Sequence, residues 1–224
     1  MVIQRRKSRQ SSADDYIRST NPVLWISGRR DGANFTSDDA YGHLCTVTGA
    51  LWTPQGRSYD GVDDKITIPH NTLHDFPSAI DFTVMQWAKI TTPTTQQILM
   101  GKQDAVTGNG FVLAVAVSTS RRLWTRLRRD ATNYSVIESS NNLSDATWYH
   151  IVVRRLSGIV SYVLNGVYDA GTVMEGTGDG QVSDCSTTEP VRYGLKGDNT
   201  QALAGSLGES VIVRRGLSVP ECMQ

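Results

Sequence analysis

Residues 148–169 read WYHIVVRRLSGIVSYVLNGVYD. Trp148 to Arg155 is rich in β-branched and aromatic residues, Leu156-Ser157-Gly158 interrupts the run, Ile159 to Leu164 resumes it, and Asn165-Gly166 reverses the chain. A type I′ turn needs positive φ at both central positions, and Asn-Gly meets that need with little steric cost. The stretch is therefore expected to be antiparallel sheet: two strands and a tight turn into a third.

Upstream, the segments FTVMQWAK, QILMGK, GFVLAVAV, RLWTRLRR and YSVIESS follow one another between Phe82 and Ser140, separated by Gly, Pro, Asp, Asn or Ser. Short runs of this kind without an amphipathic helix predict an all-β antiparallel sandwich. GFVLAVAV is apolar on both faces and is expected to be a covered central strand. In RLWTRLRR, Trp124, Arg126 and Arg128 share one face, and Leu123, Thr125 and Leu127 the other. With the leucines turned to the core, Trp124, Arg126 and Arg128 form a candidate face for a glycan or a protein partner. An arginine ladder balanced by neighbouring strands is the plainer alternative.

Nearer the N-terminus, VLWIS after Asn21-Pro22 reads as a first strand and Gly28 to Asp39 as loop. Short strands are expected at His43 to Thr48, near Ala50 to Trp52, and at Lys65 to Ile68 after a turn from Tyr59 to Asp64. Asn71 is placed to cap one helical turn reaching Phe76. At the other end, Ser218-Val219-Pro220-Glu221 has the capping-box pattern of a short helix. The last strand is expected to lie near the first.

Twenty-two basic and 22 acidic side chains cancel in a chain of 224 residues, a length suited to one large sandwich. No global field recruits nucleic acid or an anionic membrane, and no apolar run approaches the roughly 18 residues of a membrane span. Neither is expected as a partner. Residues 1–19 read as a basic, flexible arm ahead of a sandwich over 20–224. Arg5, Arg6, Lys7 and Arg9 give the arm uncompensated positive charge and make it a candidate for docking on an acidic protein surface. The segment MVIQRRKSRQSSADDY lacks the apolar centre of a secretory signal. Cys45, Cys185 and Cys222 form neither a C-x-x-C pair nor an even set, so partly buried thiols are expected, with a Cys45 to Cys222 bridge conceivable if the chain ends meet.

The order W-Y-H-I-V-V, a polar break, a second apolar run and N-G-V resembles the concanavalin A-like lectin/glucanase superfamily, in its laminin G and pentraxin-like branch. SYDGVDDKITIP from Ser58, FTVMQWAKI from Phe82, ILMGKQD from Ile98 and LAGSLGESVIVRRGLS from Leu203 carry the resemblance along most of the chain. It implies a jelly-roll sandwich. Relatives often have an aromatic where this chain has Val163, and a small or apolar residue where it has Gln86. The resemblance also implies a calcium site, because pentraxin-like relatives hold the ion between an acidic pair and a later loop. Asp63 and Asp64 match the pair, and Asp198 with Asn199 the loop; such oxygen ligands suit calcium.

Glycosidases of the superfamily set two or three carboxylates on one strand face, since one must donate a proton while another attacks or activates water. The five glutamates, at 138, 175, 189, 209 and 221, have no such spacing. His70 and His74 lack a third ligand nearby in sequence. No enzyme activity is expected. The functional expectation is a structural component of a larger particle, a phage head-decoration or tail protein present in homo-oligomeric or lattice-bound copies, found in the virion or outside cells after lysis. The alternative is a carbohydrate-binding lectin module that uses surface glycans and calcium.

Overall fold

The computed structural model describes residues 9–91, 96–115, 121–176 and 184–223, with side chains from residue 13 onward. Helix α1 spans Arg9–Ser19. It is followed by β1 (Leu24–Ile26), β2 (Asn34–Thr36), β3 (Leu44–Thr48), β4 (Leu51–Thr53), β5 (Gly56–Asp60) and β6 (Lys65–Ile68). A single 3-10 turn at Thr72–His74 leads to β7 (Phe82–Ile90), β8 (Gln97–Gln103), β9 (Gly110–Val115), β10 (Arg122–Arg128) and β11 (Tyr134–Asn142). Then come β12 (Trp148–Leu156), β13 (Ile159–Leu164), β14 (Val167–Asp169), β15 (Thr172–Gly176), β16 (Val191–Tyr193), β17 (Ala204–Val213) and α2 (Val219–Cys222).

Two antiparallel sheets result, confirming the sandwich. Sheet A runs β14-β13-β12-β7-β17-β5-β4, with β1 also paired to β17, so the last strand does lie beside the first. Sheet B runs β15-β11-β10-β9-β8-β16-β6-β3-β2. Asn165 and Gly166 have φ of 49° and 81°, and Ser157 and Gly158 have 52° and 78°, so both hairpins of the 148–169 stretch turn through paired left-handed residues. The Asn165 side chain also accepts a hydrogen bond from the His150 amide at 2.8 Å. Asn71 caps its turn through the Leu73 amide at 2.9 Å. Before α2, Glu221 reaches back to the Ser218 amide at 2.8 Å. Within the expected Gly28 to Asp39 loop, Asn34–Thr36 pairs with β3 as a short strand.

The core between the sheets is built by period-two alternation. From β7 it takes Phe82, Val84, Ala88 and Ile90, from β12 Ile151 and Val153, and from β10 Leu123 and Leu127. Phe76 stacks on Phe82 at 4.1 Å, and Phe111 meets both edge-on at 5.4 and 5.6 Å. Each such ring removes 150–250 Å² from water, which stabilises the packed sheets by several kcal/mol per ring. Arg155 is also fully buried here. Its Nε donates to Ile80 O at 3.1 Å, its Nη2 to Pro77 O at 2.6 Å, and its guanidinium lies 5.1 Å from the Phe82 ring.

The outer face of sheet A is half covered. Met85, Val152, Val163, Val211 and Val213 point away from the core and pack under Ile17 of α1 and Cys222 of α2. For residues 9–19 this corrects the flexible arm expected over residues 1–19; residues 1–8 lie outside the described residues. Arg9–Ser19 is a docked helix, fastened by Tyr16 Oη donating to Glu221 O and by Arg18 lying 4.8 Å over the Trp25 ring. Its sequence has little apolar periodicity, so the helix depends on these tertiary contacts. Arg5, Arg6 and Lys7 lie outside the described residues, as do Ala116 and Val117 of the expected central strand. Cys45, Cys185 and Cys222 are all buried, and no disulfide joins them.

His74 meets a histidine remote in sequence. His74 is buried and its Nε2 lies 3.3 Å from Nε2 of His43, whereas His70 is exposed. Burial, reinforced by His43, lowers the His74 pKa to about 4.

Two outcomes are expected. Replacing Asn165-Gly166 by Ala-Ala should cost about 2 kcal/mol in urea unfolding at constant m, since two left-handed residues and a side-chain acceptor are lost. For His74, the unfolded chain takes up a proton below its ordinary pKa of 6.5 that the folded chain refuses until about 4. Its contribution is therefore full above pH 6.5 and is lost as pH falls toward 4, by a total on the order of 3 kcal/mol. Urea titrations at pH 7 and pH 4.5 should show a smaller pH loss in His74→Gln than in wild type; equal losses would contradict this origin.

Candidate carbohydrate-binding groove

The uncovered half of the outer face of sheet A starts at Trp87. Its neighbours on β7 alternate, Gln86 and Ala88 inward and Met85 and Lys89 outward, which leaves the indole 41% exposed. On β12, His150 pairs with Trp87 and Trp148 with Lys89, so the outward row continues across the strands. The Trp87 and His150 rings lie 5.2 Å apart, and Lys89 Nζ sits 5.6 Å from the Trp148 ring. Burial lowers the His150 pKa, favouring the neutral imidazole.

Strand β17 contributes a bulge on the other side. Leu207 opposes Ala88 and Ser210 opposes Gln86, so Gly208 and Glu209 both stand against Trp87. A Cβ on Gly208 would stand 3.0 Å from Trp87 Cβ, 3.2 Å from Gln55 O and 3.6 Å from Trp148 Cζ3. Only glycine leaves this space open. Glu209 Oε1 accepts from Trp25 Nε1 at 2.9 Å, and burial raises its pKa. Arg29 holds Asp14 of α1 through two hydrogen bonds of 2.7 and 3.0 Å, which ties the helix to the rim.

These residues line a groove of about 480 Å³ containing Trp87, Trp148, Gln55, Arg29, Gly208 and Glu209. A second hollow of about 300 Å³ continues past Trp87 and Glu209 beside Tyr16 and His150. Indole surfaces suit the C–H faces of a sugar ring, while a carboxylate, an amide and a guanidinium suit its hydroxyls. Among the described lining residues of the first groove Glu209 is the one carboxylate, whereas most glycosidases use a pair.

The residues singled out from the sequence fall elsewhere. Asp63 and Asp64 gather with Asp60, their carboxylate oxygens within 4.8 Å of one another. Asp64 is buried and accepts from the Asp60 amide at 2.8 Å, Asp60 accepts from the Val62 amide at 2.8 Å, and Gly49 packs closely on the Asp64 carboxylate. Asp198 is not in this group; it pairs with Lys196 at 2.8 Å and accepts from Thr200, in the turn that includes Asn199 at φ 59°. Calcium takes six to eight oxygens. Among the described residues the clustered carboxylates are Asp60, Asp63 and Asp64, so the structure brings Asp63 and Asp64 together with Asp60 and leaves Asp198, in the turn with Asn199, outside that cluster. Arg9 opens α1. Trp124, Arg126 and Arg128 do share the outer face of sheet B and are half-buried.

The groove went unrecognised in the sequence, although a signal was there: Trp87 and Trp148 both fall on outward positions of their strands. What the sequence could not supply was the pairing of β7 with β12 and β17.

Comparisons place this architecture. Among solved structures, the binding domain of Paraclostridial Mosquitocidal Protein 1 superposes with a TM-score of 0.72 at 14% identity, covering 92% of this chain and 52% of that one. The Botulinum neurotoxin serotype D ligand binding domain in complex with N-acetylneuraminic acid gives 0.69 at 12% identity, covering 93% and 51%. A Trypanosoma rangeli sialidase complex gives 0.63 at 18% identity, covering 91% and 32%. The chain thus spans about half the length of the first two. No curated protein sequence matches it. A laminin G-type family model matches residues 60–222, well over half of the chain, and the chain accordingly belongs to the Concanavalin A-like lectin/glucanases superfamily.

Proposed function

We propose that this chain is a non-enzymatic carbohydrate-binding module whose ligand lies in the Trp87–Trp148 groove. The observation that carries the reading is the pair of outward indoles on adjacent strands, with Gly208 between them and Glu209, Gln55 and Arg29 at hydrogen-bonding positions. Two of the similar structures are named as binding domains, and one of these holds N-acetylneuraminic acid. At their level of identity they support the fold, and the groove supports the ligand class. The reading as a virion component rests on Arg5, Arg6, Lys7 and Arg9. Nothing in the described residues adds to it.

A glycan array followed by calorimetry on the best ligand tests the proposal. Trp87→Ala and Trp148→Ala should each weaken binding about tenfold, the loss of about 1.4 kcal/mol of ring contact. Trp87→Ala should leave the melting temperature nearly unchanged, because much of that indole already faces solvent. Undiminished binding by the double variant, or no glycan bound by wild type, would overturn it.

A further inference from the structure

The hollow of about 300 Å³ beneath the terminal helices has a polar end and an apolar end. At the polar end Trp87 stands between His150 of β12 and the bulge residue Glu209 of β17. Two residues further along the same strands, about 7 Å away, Met85 pairs with Val211. Ile17 of α1 and Cys222 of α2 close over that pair and make the far end apolar. Tyr16 lines the hollow from the helix side; its hydroxyl already donates to Glu221 O, so it presents its ring.

Two carboxylates line this space, and they differ in what meets their charge. Glu221 pairs with Arg215 at 2.8 Å and accepts from the Ser218 amide at 2.8 Å. Glu209 is half-buried and has no ion pair among the described residues; its Oε1 accepts only from the neutral Trp25 Nε1 at 2.9 Å. Of the charges that act on it, Arg29 is engaged with Asp14 at 2.7 Å and Asp38 with Arg30 at 2.5 Å. A carboxylate withdrawn from water with one neutral donor is under-compensated, and a cation brought beside it is held more strongly there than in solvent. Burial keeps His150 toward its neutral form, so no competing positive charge stands on the other side of Trp87. The rings of Trp87 and Tyr16 suit a cation as well, and the Met85–Val211 end suits the apolar remainder of the molecule that carries it.

We propose that this hollow binds a small organic cation: an ammonium group seated against Glu209 and Trp87, carried on an aryl or short alkyl body that fills the apolar end. The site depends on Glu209, Met85 and Val211 and not on Trp148, and so it does not require that the groove bind a sugar. A neutral apolar molecule fits the far end but leaves Glu209 unmet, and an anion is repelled by it.

Calorimetry near neutral pH and at constant ionic strength tests this with three molecules that share one body and differ in the head: phenylbutylamine, phenylbutanol and phenylbutyrate. Wild type should bind the amine saturably at one site, about tenfold or more tightly than the alcohol, with the acid weakest. Glu209→Gln keeps an acceptor for Trp25 Nε1 and should bring the amine down to the affinity of the alcohol. Ala13→Leu puts bulk into the hollow from an exposed position of α1 and should weaken amine and alcohol together. Trp148→Ala, outside the hollow, should leave amine binding unchanged, so that failure of the groove and failure of this site are distinguishable. If Glu209→Gln is destabilised, the wild-type comparison of amine with alcohol decides by itself. Absence of saturable amine binding, equal affinity of wild type for amine and alcohol, or an amine preference that survives Glu209→Gln with an intact melting temperature would each overturn the proposal.

Discussion

The alternation of β7 is the constraint from which both faces of sheet A follow. This strand lies between β12 and β17, and successive side chains must point to opposite sides. Phe82, Val84, Ala88 and Ile90 are committed to the space between the sheets, which commits Thr83, Met85, Trp87 and Lys89 to the other side. A register slip of one residue would put Trp87 and Lys89 in the core and Val84 and Ala88 in water. The groove is thus fixed in place by the same packing that holds the sandwich together.

What differs along the outer face is its cover. At Met85 and Val152 the apolar row is sealed by α1 and α2; at Trp87 and His150 the cover stops. The β17 bulge works at this border. It turns Glu209 to the same side as Gly208 and lets backbone, rather than a side chain, form the floor between the indoles. Arg29 then links that floor to the helix through Asp14. Helix, bulge and tryptophans are coupled through short contacts.

Much of the sandwich was legible because its signals are local. Asn165-Gly166 needs only its own dihedral angles, Asn71 and Glu221 reach amides two or three residues away, and the separation of Trp124, Arg126 and Arg128 from the two leucines is simple alternation. Features built from distant segments were not legible. Helix α1 has scant apolar periodicity and owes its place to Trp25, Arg29 and Glu221. Arg155 is a charged side chain held inside by the carbonyls of Pro77 and Ile80, which lie more than 70 residues before it. His74 finds His43 on a neighbouring segment instead of His70 four residues before it. In each case the deciding partner is remote in sequence, so neither propensity nor spacing encodes it.

The three buried thiols carry a consequence of their placement. Cys45 and Cys185 belong to the core between the sheets, while Cys222 belongs to the cluster on the far side of sheet A beneath α1. Burial pushes all three thiols up, to about 12, 12 and 11, so none has appreciable thiolate character at neutral pH while the chain is closed. They are native reporters on two separate compartments. Alkylation confined to Cys222 would register the terminal helices lifting away, and labelling of Cys45 and Cys185 would register the sheets parting, so the order in which the molecule opens is readable without adding a single probe.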